Sequence, residues 1–107
     1  MKKISDKRKA ELPAYNKLVR KLRELCGNKS EISGDPPDWR TSYKIEAHHI
    51  QGRLGKLFTD PFNIICLTRK EHEIEMRLYK DIPALGTEYL LELVKGIRIQ
   101  QGFEEGK

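Results

Sequence analysis

The chain has 107 residues and a mass of 12.5 kDa, with 37% hydrophobic residues, 35% charged residues and a mean hydropathy of −0.68. That length suits one domain, residues 1–107, with a modest core, and no apolar run approaches the roughly 18 residues a membrane span needs. Net charge is +5, but residues 1–29 carry ten Lys and Arg against three acids while residues 30–107 carry eleven against thirteen. A basic block at one end of a small protein suggests a polyanionic partner, most often nucleic acid; a solvated helix face explains it equally well. The basic opening MKKISDKRKAE has no apolar stretch behind it and is not expected to act as a secretory signal. Cys26 and Cys66 belong to no paired motif, which argues against a disulfide scaffold and for a reducing cytoplasm.

From Pro13 to Cys26, Tyr15, Leu18, Val19, Leu22, Leu25 and Cys26 recur at spacings of three and four. This predicts an amphipathic helix with Pro13 in its first turn and Gly27 and Asn28 as its stop. Lys17, Arg20, Lys21 and Arg23 fall on the opposite face, making residues 1–29 a basic helical arm. Residues 27–39 are turn chemistry. Tyr43–His49 is expected to be a strand, residues 51–61 a loop exposing Arg53 and Lys56, and Phe62–Leu67 a second strand. A link of that length is long for a hairpin, and such loops are usually functional. Thr68 followed by Glu71 reads as a capping box, opening a helix from Arg69 to Lys80 with Ile74 and Leu78 on its core face. A last helix, residues 87–101, should bury Leu90, Leu93, Val94 and Ile97, and the tail from Gly102 should fray. The fold class expected is α+β.

The three histidines fall within 25 residues. His48 and His49 close the first strand, and His72 lies in the first turn of the capped helix. A helix packed across a two-stranded hairpin can bring that turn beside the end of the first strand, within reach of a shared metal ion. Neighbouring strand residues point to opposite faces, so both His48 and His49 serve one site only if the strand ends or twists there. One imidazole would then bind metal while the other acts as a base near neutral pH. A strand end with hydrogen-bonded rings and an exposed helix histidine is the plainer alternative. Asn63, a poor β-former among Phe62, Ile64 and Ile65, is tolerable if its amide ties down backbone or a ring.

Glu46, His48, His49 and Ile50, then Gly52, Arg53 and Gly55, then Asp60, Pro61 and Asn63, then Thr68 to His72 together resemble the HNH endonuclease signature, in particular small phage-type and recombination-associated members. The resemblance covers residues 45–75, with fourteen positions from His49 to Asn63 and nine from Asn63 to His72. It implies a ββα-metal core over residues 43–80, flanked by N- and C-terminal helices, that hydrolyses phosphodiester bonds with one divalent cation. On this resemblance His48 and His72 are metal ligands, His49 is the general base, and Asn63 braces the loop and orients the catalytic histidine. An imidazole with a pKa near 6.5 suits the activation of water, and a bound cation neutralises charge on phosphate and leaving oxygen. Mg²⁺ or Mn²⁺ is expected, with Ni²⁺ or Zn²⁺ admitted by two imidazole ligands. Arg53, Lys56, Arg69, Lys17, Arg20 and Lys21 are the candidate nucleic-acid contacts.

Two departures stand out. Many relatives carry structural zinc knuckles, whose places here are taken by Ser30, Ser33, Thr68 and Glu71; none supplies a thiolate, so no structural zinc is expected. Some relatives have a further metal-binding histidine where this chain has Met76. The expected partner is double-stranded DNA held through phosphate contacts with low sequence specificity, in the cytoplasm of a bacterium or a phage-infected cell. The competing expectations are a non-catalytic nucleic-acid-binding module on the same scaffold and a helical protein that binds another partner.

Overall fold

The computed structural model describes residues 6–38, 40 and 44–105, with residues 6–8 described as backbone only. The domain is α+β: helix α1 (Asp6–Leu25), strand β1 (Glu46–His49), strand β2 (Ile64–Leu67), helix α2 (Arg69–Glu75) and helix α3 (Thr87–Gln100). The strands form one antiparallel hairpin in which Glu46 faces Leu67, Ala47 faces Cys66, His48 faces Ile65 and His49 faces Ile64. The order of β1, β2 and α2 is compatible with a ββα arrangement.

Two four-residue strands cannot hold themselves together in water, and the pleat gives each face of this hairpin its own support. Ile64 and Cys66 join Leu22 and Ile45 in a cluster covered by Tyr15 and Leu18 of α1. Ile65 and Leu67 join Ile50, Leu90 and Val94 in a second cluster under α3. All four residues of β2 are buried, as their continuous apolar run anticipates.

Helix ends differ from the sequence expectation in instructive ways. Helix α1 begins at Asp6, so Pro13 lies inside it rather than in its first turn; the missing proline N–H leaves one carbonyl of the preceding turn without its helical donor, on an exposed stretch where water can supply one. Leu25, expected on the buried stripe, is exposed. Helix α2 stops at Glu75 instead of Lys80 because the chain turns left-handed at Arg77 (φ 62°). The Leu78 amide bonds the Glu73 carbonyl and the Arg77 amide that of Ile74, a Schellman stop made without glycine. Leu78 is thereby carried out to 63% exposure, and Ile74 is only half-buried. Leu93 and Ile97 of α3 are likewise half-buried. The same stop closes α3 at Gly102 (φ 95°), where the Phe103 amide reaches the Arg98 carbonyl. Phe103 then packs beneath α1 with Lys21 over its ring, so the chain stays anchored past Gly102 rather than fraying there.

The first strand begins at Glu46; Tyr43, its expected start, lies outside the described residues. The second begins at Ile64 because Pro61–Asn63 form a 3₁₀ turn. Asp60 caps that turn, its carboxylate accepting from the Phe62 amide and its carbonyl from the Asn63 amide. A further 3₁₀ turn, Gly55–Thr59, occupies the expected loop and buries Phe58.

Among the described residues Arg98 is the largest fully buried side chain, and the apolar stripe of α3 gives no sign of it. Its Nη atoms meet both oxygens of Glu31 at 2.6 Å. Its remaining N–H groups reach the carbonyls of Pro61 (3.0 Å) and Ile64 (2.8 Å) and Oε1 of Gln101 (2.9 Å). All five guanidinium donors are thus engaged. Glu31 in turn pairs with β2, donating from its amide to the Cys66 carbonyl and accepting the Cys66 amide on Oε1, both at 2.8 Å. Arg98→Lys cannot reproduce this planar fork and leaves Glu31 buried without its partner; urea denaturation should show a loss of about 3–5 kcal/mol.

Candidate metal and phosphodiester site

The capping box at the start of α2 forms as its sequence implies: Glu71 N–H donates to Thr68 Oγ1 (3.2 Å) and Thr68 N–H to Glu71 Oε1 (2.9 Å). Burial pushes the Glu71 carboxyl up, but hydrogen bonds from Ser30, the Thr68 backbone, Ser33 and the Thr68 hydroxyl outweigh it and hold the pKa below the ordinary value. Ser30 Oγ also accepts the amides of Ile32 and Ser33. Ser30, Ser33, Thr68 and Glu71 therefore meet in one hydrogen-bonded knot that fixes where α2 starts.

That placement sets His72 against the hairpin. The His72 and His48 rings meet edge to face with centroids 5.0 Å apart. His72 Nδ1 lies 2.9 Å from Glu46 Oε1. A carboxylate only accepts, so Nδ1 carries the proton of this bond, leaving Nε2 as the ring nitrogen turned away from Glu46. Glu46 shares the hairpin face of His48, two residues away, and its other oxygen lies 3.5 Å from Arg69, which also pairs with Glu73. Burial first, then the neighbouring His72 and His49, pushes the His48 pKa down to about 4, so its imidazole is neutral near physiological pH. Two close imidazoles, one oriented by a carboxylate, are a donor set a divalent cation accepts. Among the described residues no group of three or more His, Cys, Asp and Glu is arranged to hold a metal, so a cation here would have two protein ligands, the rest of its shell coming from water and phosphate oxygens.

His49 takes a different environment. The strand ends at His49, as a single site requires, yet the pleat still alternates, sending His48 toward α2 and His49 toward α1. His49 is 8% exposed and stacks with Phe58 (5.7 Å) and Tyr15 (5.5 Å), which stack with each other at 4.4 Å. Its Nε2 is 3.1 Å from the Phe58 carbonyl, which only accepts, so Nε2 donates there, while Nδ1 is buried. Tyr15 and Phe58 were not among the site residues anticipated; the helical period that placed Tyr15 on the α1 stripe was the available signal.

Asn63 is 1% exposed and sits at the end of a 3₁₀ turn rather than inside a strand. Its Oδ1 accepts the Gln51 amide (2.8 Å), and its Nδ2 donates to the carbonyls of Gly52 (2.8 Å) and Leu57 (3.0 Å). The Ile50 amide bonds the Asn63 carbonyl. One side chain therefore closes the loop that carries Arg53, Lys56 and Phe58.

The basic candidates are dispersed. Lys17, Arg20 and Lys21 are exposed on α1, Arg53 and Lys56 on the loop, and Arg69 at the start of α2. Arg23, expected on the same basic face, is instead half-buried and donates from Nε to the Ile45 carbonyl. A concavity of about 730 Å³ beside α1 includes Arg20, Arg23 and Lys44, and another of about 700 Å³ between the loop and α3 includes Lys56 and Lys95. Neither is lined by a histidine; the His48–His72 pair lies outside both. No family model, curated protein or solved structure matches the chain.

Two measurements test this geometry. Asn63→Ala should cost about 2–3 kcal/mol in urea denaturation, since three backbone groups of the loop lose a buried side-chain partner. For His48, the unfolded chain takes up a proton below pH 6.5 that the folded ring refuses until about pH 4. The unfolded state therefore binds more protons in that window, and metal-free protein loses stability as pH falls through it. Because the ring is partly exposed, the discounted effect is about 1–2 kcal/mol; His48→Asn should flatten that part of the pH dependence.

Proposed function

We propose that this chain is a metal-dependent DNA endonuclease or nickase of the HNH type. The single observation that supports it most is the edge-to-face pairing of His48 and His72 at 5.0 Å, with Glu46 on the far nitrogen of His72. In this reading His48 and His72 hold one divalent cation, Mg²⁺ or Mn²⁺ with Ni²⁺ or Zn²⁺ also accepted. When bound, the cation supplies Lewis-acid neutralisation of charge on the scissile phosphate and the leaving oxygen. Glu46 keeps His72 in the tautomer that presents Nε2. His49, whose Nε2–H donates to the Phe58 carbonyl, is the general base for the attacking water. Asn63 keeps the Phe58 segment, and hence His49, in register with the strand end.

The substrate is double-stranded DNA bound with low sequence specificity, in a bacterial or phage-infected cytoplasm. Lys17, Arg20 and Lys21 contact phosphates from α1, Arg53 and Lys56 from the loop, and Arg69 from α2. Phosphate contacts of this kind carry little sequence information and weaken steeply with salt. A second reading, a nucleic-acid-binding module that cleaves nothing, is favoured by one observation: the pleat turns His49 toward Tyr15 and Phe58, on the hairpin face opposite the His48–His72 pair.

Supercoiled plasmid separates the two. With Mg²⁺, Mn²⁺, Ni²⁺ or Zn²⁺ the wild-type protein should convert it to nicked or linear product, and EDTA should abolish the reaction. His49→Ala should reduce the rate by about 10²–10⁴-fold with cation binding retained. Glu46→Gln should weaken cation affinity by about 10–100-fold. Salt-sensitive DNA binding without cleavage under any of the four cations would establish the binding module instead.

A further inference from the structure

We propose that Cys26 and Cys66 form a peroxide-reactive dithiol site, in which a hydroperoxide converts the two thiols to a disulfide that staples α1 to β2. This rests on neither the histidine site nor the nuclease reading. Both cysteines are free thiols, Cys66 fully buried on β2 and Cys26 half-buried one residue past the end of α1. Cys26 packs against the core cluster that contains Cys66, and the thiol of each is the largest influence on the other's ionisation. An oxidant arriving from solvent therefore meets Cys26 first, with the second thiol already in contact behind it.

The local donors favour Cys26 as the attacking sulfur. The Cys66 thiol is the largest influence, opposed by burial and by the Glu31 carboxylate and aided by the Lys29 and Asn28 backbone; together they bring its pKa down to about 6. Cys26, with burial and Glu31, pushes the Cys66 thiol up. In the thiol form Cys26 turns its S–H toward the Arg23 carbonyl at 3.3 Å, a contact that ends on ionisation. A thiolate at neutral pH is what peroxide oxidation requires.

The steps balance. The Cys26 thiolate attacks one peroxide oxygen, the O–O bond breaks, and hydroxide leaves to be protonated by solvent, giving a sulfenic acid on Cys26. Cys66 sulfur then attacks Cys26 sulfur, the S–O bond breaks, and the departing hydroxide takes the Cys66 proton as water. One hydroperoxide is reduced and two thiols are oxidised, so no further reductant is consumed. Because the resolving thiol is in contact, the sulfenic acid is captured before higher oxidation states form. The bond closes a loop across the 40 positions between the two cysteines, a span at which a disulfide restricts the unfolded chain substantially.

The test treats the full-length reduced protein in native buffer with equimolar hydrogen peroxide, followed by alkylation and tryptic mapping. Expected are the loss of both alkylatable thiols, a mass lower by two hydrogens, and a link between the tryptic peptides of residues 24–29 and 57–69. The melting temperature should rise by at least about 5 °C and return on adding dithiothreitol. Cys26→Ala should leave Cys66 reduced under the same treatment, and Cys66→Ala, which lacks the resolving thiol, should hold Cys26 as a dimedone-reactive sulfenic acid at equimolar peroxide and pass to sulfinic and sulfonic acid only under tenfold excess; if the latter variant does not fold, the wild-type map and Cys26→Ala decide. Two intact thiols at tenfold excess peroxide, over-oxidation of wild-type Cys26 beside a free Cys66, or a link only between chains would each overturn the site.

Discussion

The guanidinium of Arg98 joins four segments that no regular secondary structure connects. It reaches the Glu31 carboxylate on the 27–38 loop, the Pro61 carbonyl in the 3₁₀ turn, the Ile64 carbonyl at the start of β2 and Gln101 at the end of α3. A hairpin of two four-residue strands leaves β2 with an outer edge to satisfy, and Glu31 does so by exchanging hydrogen bonds with Cys66 in the manner of a short extra strand. Burying an ion pair costs desolvation that its attraction only repays when every donor and acceptor is matched. Here all five donors are matched in one arrangement of loop, turn, strand and helix, so the pair acts as a statement of register: α3 cannot slide by a turn, nor Glu31 by a residue, without orphaning a charge.

A second polar knot does the same for α2. Ser30 and Ser33 rigidify their own turn through backbone amides and, with Thr68, converge on the Glu71 carboxylate. The 30–33 turn thus holds two carboxylate-centred anchors on successive residues, Ser30 toward α2 and Glu31 toward α3. In the resemblance to HNH nucleases these are knuckle positions, where thiolates would converge on zinc. This chain brings the same elements together with neutral hydroxyls around one carboxylate, a set that gives no tetrahedral thiolate site yet fixes the first turn of a helix only seven residues long. Since His72 is the fourth residue of that helix, its position against Glu46 follows from the knot.

The parts of this architecture legible in the sequence are those carried by local chemistry. The capping box at Thr68 and Glu71, the long α1 stripe through Val19 and Leu22, and the buried Leu90 and Val94 all follow from spacing and cap residues. What escaped depended on partners distant in sequence. Arg98 falls where the α3 stripe would continue from Leu90 and Val94, but a charged residue there reads as surface until Glu31 is known to lie opposite. Pro13 reads as a helix start because proline is best tolerated there; α1 nonetheless begins about two turns earlier, at Asp6, with Glu11 and Leu12 half-buried just ahead of the proline. Lys80 reads as a helix end because Pro83 follows, whereas left-handed Arg77 stops α2 a turn earlier. Asn63 was recognised as a residue out of place in an apolar strand, and its surroundings give the reason: Asp60 and Pro61 wind it into a 3₁₀ turn where its amide closes a loop.

The alternation at His48 and His49 distributes the histidines over two helices. His48 faces α2 and is set by the Glu71 knot; His49 faces α1 and is set by Tyr15 and the Phe58 carbonyl. Neither helix alone organises both rings, and the hairpin between them is too short to stand unsupported. Joint action of His48 and His49 on one phosphate therefore requires α1 and α2 to be docked together. The docking is carried by residues other than the histidines: Leu22 and Cys66 on one face, Arg98 and Glu31 at the edge. Cys26, one residue past α1 and in contact with Cys66, lies at the joint between the helix that positions His49 and the strand that leads to His72. A covalent bond at that joint would tighten the relation between the two halves without touching an imidazole, which makes the docking of α1, rather than the chemistry of any single ring, the property on which the histidine geometry turns.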